Sequence, residues 1–158
     1  MKWRTWFLQA CLGLVTLAAG GLCLLAFPTT PARLYQLYHN LVTAWIFTGG
    51  AYGAAACYFY GAVQGSRLLT LITRDQAFTA PAIAYLQRLK WAMAGITMML
   101  CFILPQVYVA AQAEDAPGLI IVAAAGIAVP FVLAVFLAIL QRLWAIALAY
   151  KTANDVIV

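Results

Sequence analysis

Residues 118–140 read GLIIVAAAGIAVPFVLAVFLAIL. No side chain in this stretch is charged, and none carries a hydrogen-bonding group. At about 1.5 Å of rise per residue it is long enough, as a helix, to cross a hydrocarbon core of about 30 Å. Three further runs free of charge precede it, at 6–27, 41–63 and 91–111. The helical pattern of the last run carries on past Arg142 toward Tyr150. The whole chain of 158 residues is 66% hydrophobic and 8% charged, with a mean hydropathy of +0.95. Soluble domains carry about 25% charged residues to cover their surface. The sequence therefore predicts an all-α fold, a single integral membrane domain over 1–158 made of four transmembrane helices.

The first run follows Lys2 and Arg4, as the apolar part of a secretory leader would. It is longer than such a segment, and no small-residue cleavage site occurs before Pro28, so it reads as a retained helix. Eight of the nine basic residues fall on one side of the resulting topology: Lys2, Arg4, Arg67, Arg74, Arg88, Lys90, Arg142 and Lys151. Arg33, Glu114 and Asp115 fall on the other. Basic residues stay inside, so both termini and the central loop are expected in the cytoplasm. The net charge of +5 then follows from topology. It points to anionic headgroups of the lipid bilayer as partner and not to direct binding of nucleic acid.

The second run carries Gly49, Gly53, Cys57 and Gly61, four apart and thus on one stripe of a helix. Small residues let backbones approach closely in lipid, where hydrophobicity does not drive association. The stripe is expected to pack against this chain's own helices, a homo-oligomer face being the alternative. Gly49–Gly50 is also a place where the helix can bend. In the outer connection Thr30 and Pro31 have the form of a helix start, followed by Tyr35, Tyr38 and the single histidine, His39, at the outer interface. The turn AQAEDAPG, 111–118, is short enough to force the third and fourth helices into an antiparallel hairpin. Pro105 and Pro130 interrupt these helices and are expected to kink them.

In the inner loop Thr79 has the form of an N-cap, with Pro81 in the first turn and Phe78 and Ile83 at hydrophobic-staple spacing. Ile83, Leu86 and Leu89 share one face, with Gln87, Arg88 and Lys90 elsewhere. This is a basic amphipathic helix at the inner headgroup level that leads into the third span.

Chemistry is sparse. No ionisable residue lies inside a span, and such residues usually mark ion and proton pathways. The in-span polar residues Gln9, Thr16, Thr43, Thr48, Thr97 and Gln106 are expected to bond between helices. Cys11, Cys23, Cys57 and Cys101 lie in apolar runs without metal or disulfide spacing and read as buried free thiols. No phosphate loop, nucleophile elbow or metal motif occurs. The chain is expected not to be an enzyme and to need no cofactor or metal.

Two stretches, LLTLITRDQAFTAPAIAYLQRLKWA (68–92) and VFLAILQRLWAIALAYKTANDVIV (135–158), make the chain resemble the four-helix bacterial membrane proteins of domain-of-unknown-function family 2975. The specific signals are Phe78-Thr79 and Asn154-Asp155, the latter after a helix and an Ala-rich turn. Members of that family typically end on a motif like Glu-Asn-Asp-Leu-Thr. Here Ala153 stands in place of the Glu and Val156-Ile157 in place of Leu-Thr, so no role of that carboxylate carries over. The resemblance implies a bacterial cytoplasmic-membrane protein. Its genes often neighbour a small helix-turn-helix regulator, which implies a membrane partner that tethers or signals to such a transcription regulator.

The leading functional expectation is a membrane interaction or regulatory protein. Its partner surface would comprise Arg74, Asp75, Phe78, Arg88, Lys151, Asn154 and Asp155. One alternative is a small transporter, channel or lipid-binding protein with a cavity at Pro105, Gln106 and Pro130. Another is an immunity protein against bacteriocins or membrane stress.

Overall fold

A computed structural model describes residues 2–25, 41–74 and 79–155 of the chain. Four helices follow one another: α1 (Lys2–Leu25), α2 (Leu41–Thr73), α3 (Ala80–Ala113) and α4 (Gly118–Asp155). The fold is an all-α bundle. By length and composition α1 (from Trp6), α3 and α4 (to Ala153) are apolar enough to cross a membrane. In α2, glycine, tyrosine and threonine dilute the apolar residues. Its place in the bundle comes from packing instead, since α1 and α3 both lie against it. Contacts run α1 to α2, α2 to α3 and α3 to α4, and among the described residues α1 and α4 do not touch.

The α2–α3 seam is built on small residues. A Cβ added at Gly53 would meet Met99 Sδ at 2.8 Å, and one at Gly61 would meet Ala92 Cβ at 3.1 Å. From the other side, a Cβ on Gly95 would meet Cys57 Sγ at 2.9 Å. Three of the four expected stripe residues therefore lie at this seam. Gly49 does not: it is exposed and its Cβ direction meets no described residue. Gly50 takes that place, buried with a Cβ position 2.6 Å from Ile103 Cγ1. The reason is helical geometry. At 3.6 residues per turn a strict four-residue spacing drifts by about 120° from 49 to 61, whereas 50, 53, 57 and 61, spaced three, four and four, stay within about 80° of one another.

The in-span threonines also correct an expectation. Thr16, Thr48 and Thr97 donate to the carbonyls of Leu12, Ala44 and Met93 at 2.6, 2.7 and 3.0 Å, each one turn back in the same helix. A threonine hydroxyl reaches its own i−4 carbonyl without help from a neighbour. The cysteines are free, but Cys11 and Cys101 are exposed and not buried.

Thr79 occupies the N-cap of α3 with extended backbone (φ −129°, ψ 154°) but makes no side-chain capping bond, and Ile83 N–H donates to its carbonyl at 3.3 Å. Pro81 sits in the first turn, where its missing N–H costs nothing. The outer turn between α3 and α4 places Asp115 at φ 49°. At the chain's end the helix runs to Asp155, so Lys151–Asp155 is helical and not a turn. The outer connection with Thr30, Tyr35, Tyr38 and His39, the loop residues Asp75 and Phe78 with their staple, and the last residues 156–158 lie outside the described residues.

Candidate functional site: an inner stalk and an interhelical groove

Helices α2, α3 and α4 are longer than a bilayer is thick. α2 continues ten residues past Val63, and α4 fifteen past Leu140. These extensions are about 15 and 22 Å long, against a headgroup layer of about 5–7 Å on each side of the core. Together with the first turns of α3 they form a three-helix stalk at the basic end of the molecule.

The stalk has its own core. Leu68, Ala82 and Leu86 are buried together, and Leu71, Tyr85, Leu137, Leu140 and Trp144 pack around them. Leu137, Leu140 and Trp144 recur at three and four residues, which places them on one face of α4. Lys90 Nζ donates to Gln141 Oε1 at 2.9 Å and ties α3 to α4 at the membrane edge, while its ammonium lies 5.7 Å from the Trp91 ring centre. Arg88 stands 5.7 Å over the Tyr85 ring.

The other face of the α4 extension is uncovered. Leu143, Ile146 and Tyr150 are 57%, 49% and 73% exposed and again follow an i, i+3, i+7 spacing. Arg142 and Lys151 flank them and are also exposed, as are Arg67, Arg74 and Arg88. Arg74 and Lys151 lie eleven residues beyond the expected span ends Val63 and Leu140, about 16 Å along the helix, a distance greater than the thickness of a headgroup layer. Of the expected partner surface, the structure thus places Arg74, Arg88 and Lys151 on one stalk. Asn154 and Asp155 continue its backbone, and the positions of their side chains are outside the described residues.

A groove of about 540 Å³ opens between all four helices. Cys23 of α1, Phe47 and Tyr58 of α2, Ile103 and Val107 of α3, and Gly126 of α4 are among its walls. Pro105, Gln106 and Pro130, where a cavity was expected, do not line it. Pro105 is exposed, Pro130 is buried, and the Gln106 Oε1 is buried without a hydrogen-bond partner. The cavity forms beside them because Ile103, Leu104 and Val107 are the α3 residues that turn toward the gap between α1 and α4. Two more buried oxygens have no partner, the Tyr58 hydroxyl and Oε1 of Gln64, a residue only 5% exposed. An orphaned acceptor in an interior costs about 1–3 kcal/mol.

Sequence reasoning missed Leu143, Ile146 and Tyr150, although their spacing is present in QRLWAIALAY. The signal was masked because both faces of that helix are apolar, so periodicity alone did not distinguish the inner face from the outer one. The groove walls carried no signal at all, being ordinary apolar residues.

No solved structure matches the chain. It is 28% identical over 158 residues to the "Uncharacterized membrane protein YoaS" of Bacillus subtilis (strain 168), covering 99% of each chain. The family model described as "Protein of unknown function (DUF2975)" matches residues 27–158. That range takes in α2, α3 and α4, the three helices that build the stalk, and with it the chain belongs to the DUF2975 family of membrane proteins.

Proposed function

We propose that the chain is a non-enzymatic interaction protein of a bacterial cytoplasmic membrane, which presents its inner stalk to a soluble cytoplasmic protein. One observation carries this reading. The exposed apolar stripe Leu143, Ile146 and Tyr150, flanked by Arg142 and Lys151, stands on the α4 extension beside a packed three-helix core, and its far end at Tyr150 is ten residues beyond the expected end of the span at Leu140. A basic belt serving only lipid would end at the headgroup layer, where anionic lipids attract it. An apolar helical stripe held in water is an interaction surface by default, and it suits a partner that receives a helix in a groove. A helix-turn-helix regulator is the partner that the family resemblance suggests, and its tether would be Arg74, Arg88 and Lys151 around the stripe.

The test uses the full chain in nanodiscs and the purified helix-turn-helix regulator from the same genome. Wild type is expected to retain the regulator. Leu143→Asp with Tyr150→Asp is expected to weaken retention by about tenfold or more, an effect of about 1.4 kcal/mol. A chain truncated after Tyr150 separates the tail from the stripe. Equal retention by wild type and the double variant removes the stripe as a docking surface.

A further inference from the structure

The groove asks for an occupant. Its walls come from membrane-spanning parts of all four helices and are almost wholly apolar. Water gains nothing there, since a buried water needs two to four polar partners. The groove also has a side entrance, because α1 and α4 flank it without touching among the described residues. What lies outside that entrance is hydrocarbon.

Size selects among apolar occupants. The groove offers about 540 Å³, within the range of about 300–1,000 Å³ that takes single small ligands. A second copy of the chain is disfavoured by area as well. The groove wall is a small part of the about 800 Å² per partner that a stable interface buries. Depth sets the direction of entry. Cys23 near the end of α1, Phe47 near the start of α2 and Gly126 near the start of α4 line the part of the groove toward the end of the bundle that carries Glu114 and Asp115, and Tyr58, Phe59 and Ile96 line its far part, beyond the middle of their spans. That end is the outer one by the distribution of basic residues.

We infer that the groove is a lipid site, which takes one acyl chain of an outer-leaflet phospholipid through the gap between α1 and α4. The chain's end reaches the floor at Tyr58 and Phe59, whose rings stack edge to face at 5.8 Å. The site is separate from the stalk, and its failure leaves the docking reading untouched.

Gly126 supplies the test. It lines the groove, and a Cβ there meets nothing within 4 Å, so a large side chain is accepted at the groove wall without pushing on the backbone. The full chain is reconstituted in phosphatidylglycerol–phosphatidylethanolamine vesicles that contain a phosphatidylcholine with a diazirine at one acyl terminus. After illumination, adducts are mapped by mass spectrometry. Wild type is expected to carry adducts on Tyr58 and Ile103. Gly126→Trp and Ala123→Phe, each shown to elute as a single species, are expected to lose them by about tenfold, the change that follows when about 1.4 kcal/mol of contact is removed. Val122→Trp, one residue from Ala123 on an exposed position outside the groove, is expected to label as wild type does. Unchanged adducts in either folded groove variant overturn the site. So does wild type labelled only at lipid-facing Phe131 and Val135, or crosslinked chain to chain through the groove.

Discussion

At Gly50 a Cβ would lie 2.6 Å from Ile103 Cγ1 and 3.3 Å from the Met99 carbonyl oxygen, while one position earlier, at Gly49, it would meet no described residue. The two neighbours therefore separate propensity from packing. Gly49→Ala is expected to be neutral or to stabilise by up to about 1 kcal/mol, the helix-propensity difference between the two residues. Gly50→Val is expected to cost about 1–3 kcal/mol, the usual penalty of overfilling a packed interface. Thermal unfolding of both variants in one detergent checks the pair. Equal midpoints would show that the α2–α3 seam is not closed at Gly50. The same reasoning explains the threonines, which satisfy themselves on their own helix and leave small residues to set helix separation. From the sequence the small-residue stripe was legible at Gly53, Cys57 and Gly61. Its outer end was not, because two adjacent glycines offer the same composition on faces about 100° apart.

Among the elements, α2, α3 and α4 form the connected unit and α1 packs only on α2. Their inner segments share the best-buried cluster of the molecule, in which Leu86 is 1% exposed. Leu86 was legible as an apolar position of the amphipathic inner helix. That its stripe packs into a core shared with α2 and α4, and not against a headgroup surface alone, was decided by those helices continuing alongside. Leu86→Ala is expected to destabilise this core by about 2–5 kcal/mol. Hydrogen exchange should then rise in 80–90 and 137–148 before it rises in the outer halves of the same helices. A uniform rise along α3 would mean that the stalk has no separate core.

For the whole molecule, helices of 33, 34 and 38 residues cannot be contained in a core of about 30 Å. The excess lies at the basic end. In a cysteine-free background, single cysteines at Arg74, Arg88 and Lys151 are expected to react with a membrane-impermeant maleimide only in inverted vesicles. One at Asp115 is expected to react only in right-side-out cells. Cysteine at Leu143 should behave like the stalk positions, since it projects from the uncovered face of α4. Protection of Leu143 in empty vesicles would place that stripe in lipid and remove its claim on a partner.

The sequence by itself determined the membrane character and the four helices, and it set the expectation for their orientation. Each rests on quantities that need no neighbour: the length of an apolar run, the cost of charge in hydrocarbon and the side on which lysine and arginine collect. It also carried the family, through residues 68–92 and 135–158. Which helices touch was left to the tertiary structure, and so were the turn of Gly50 into the seam and the gap between α1 and α4. In a chain apolar on every face, hydrophobicity marks no side of a helix as inward. Only the close fit of side chains decides which face packs and which remains open to lipid or partner.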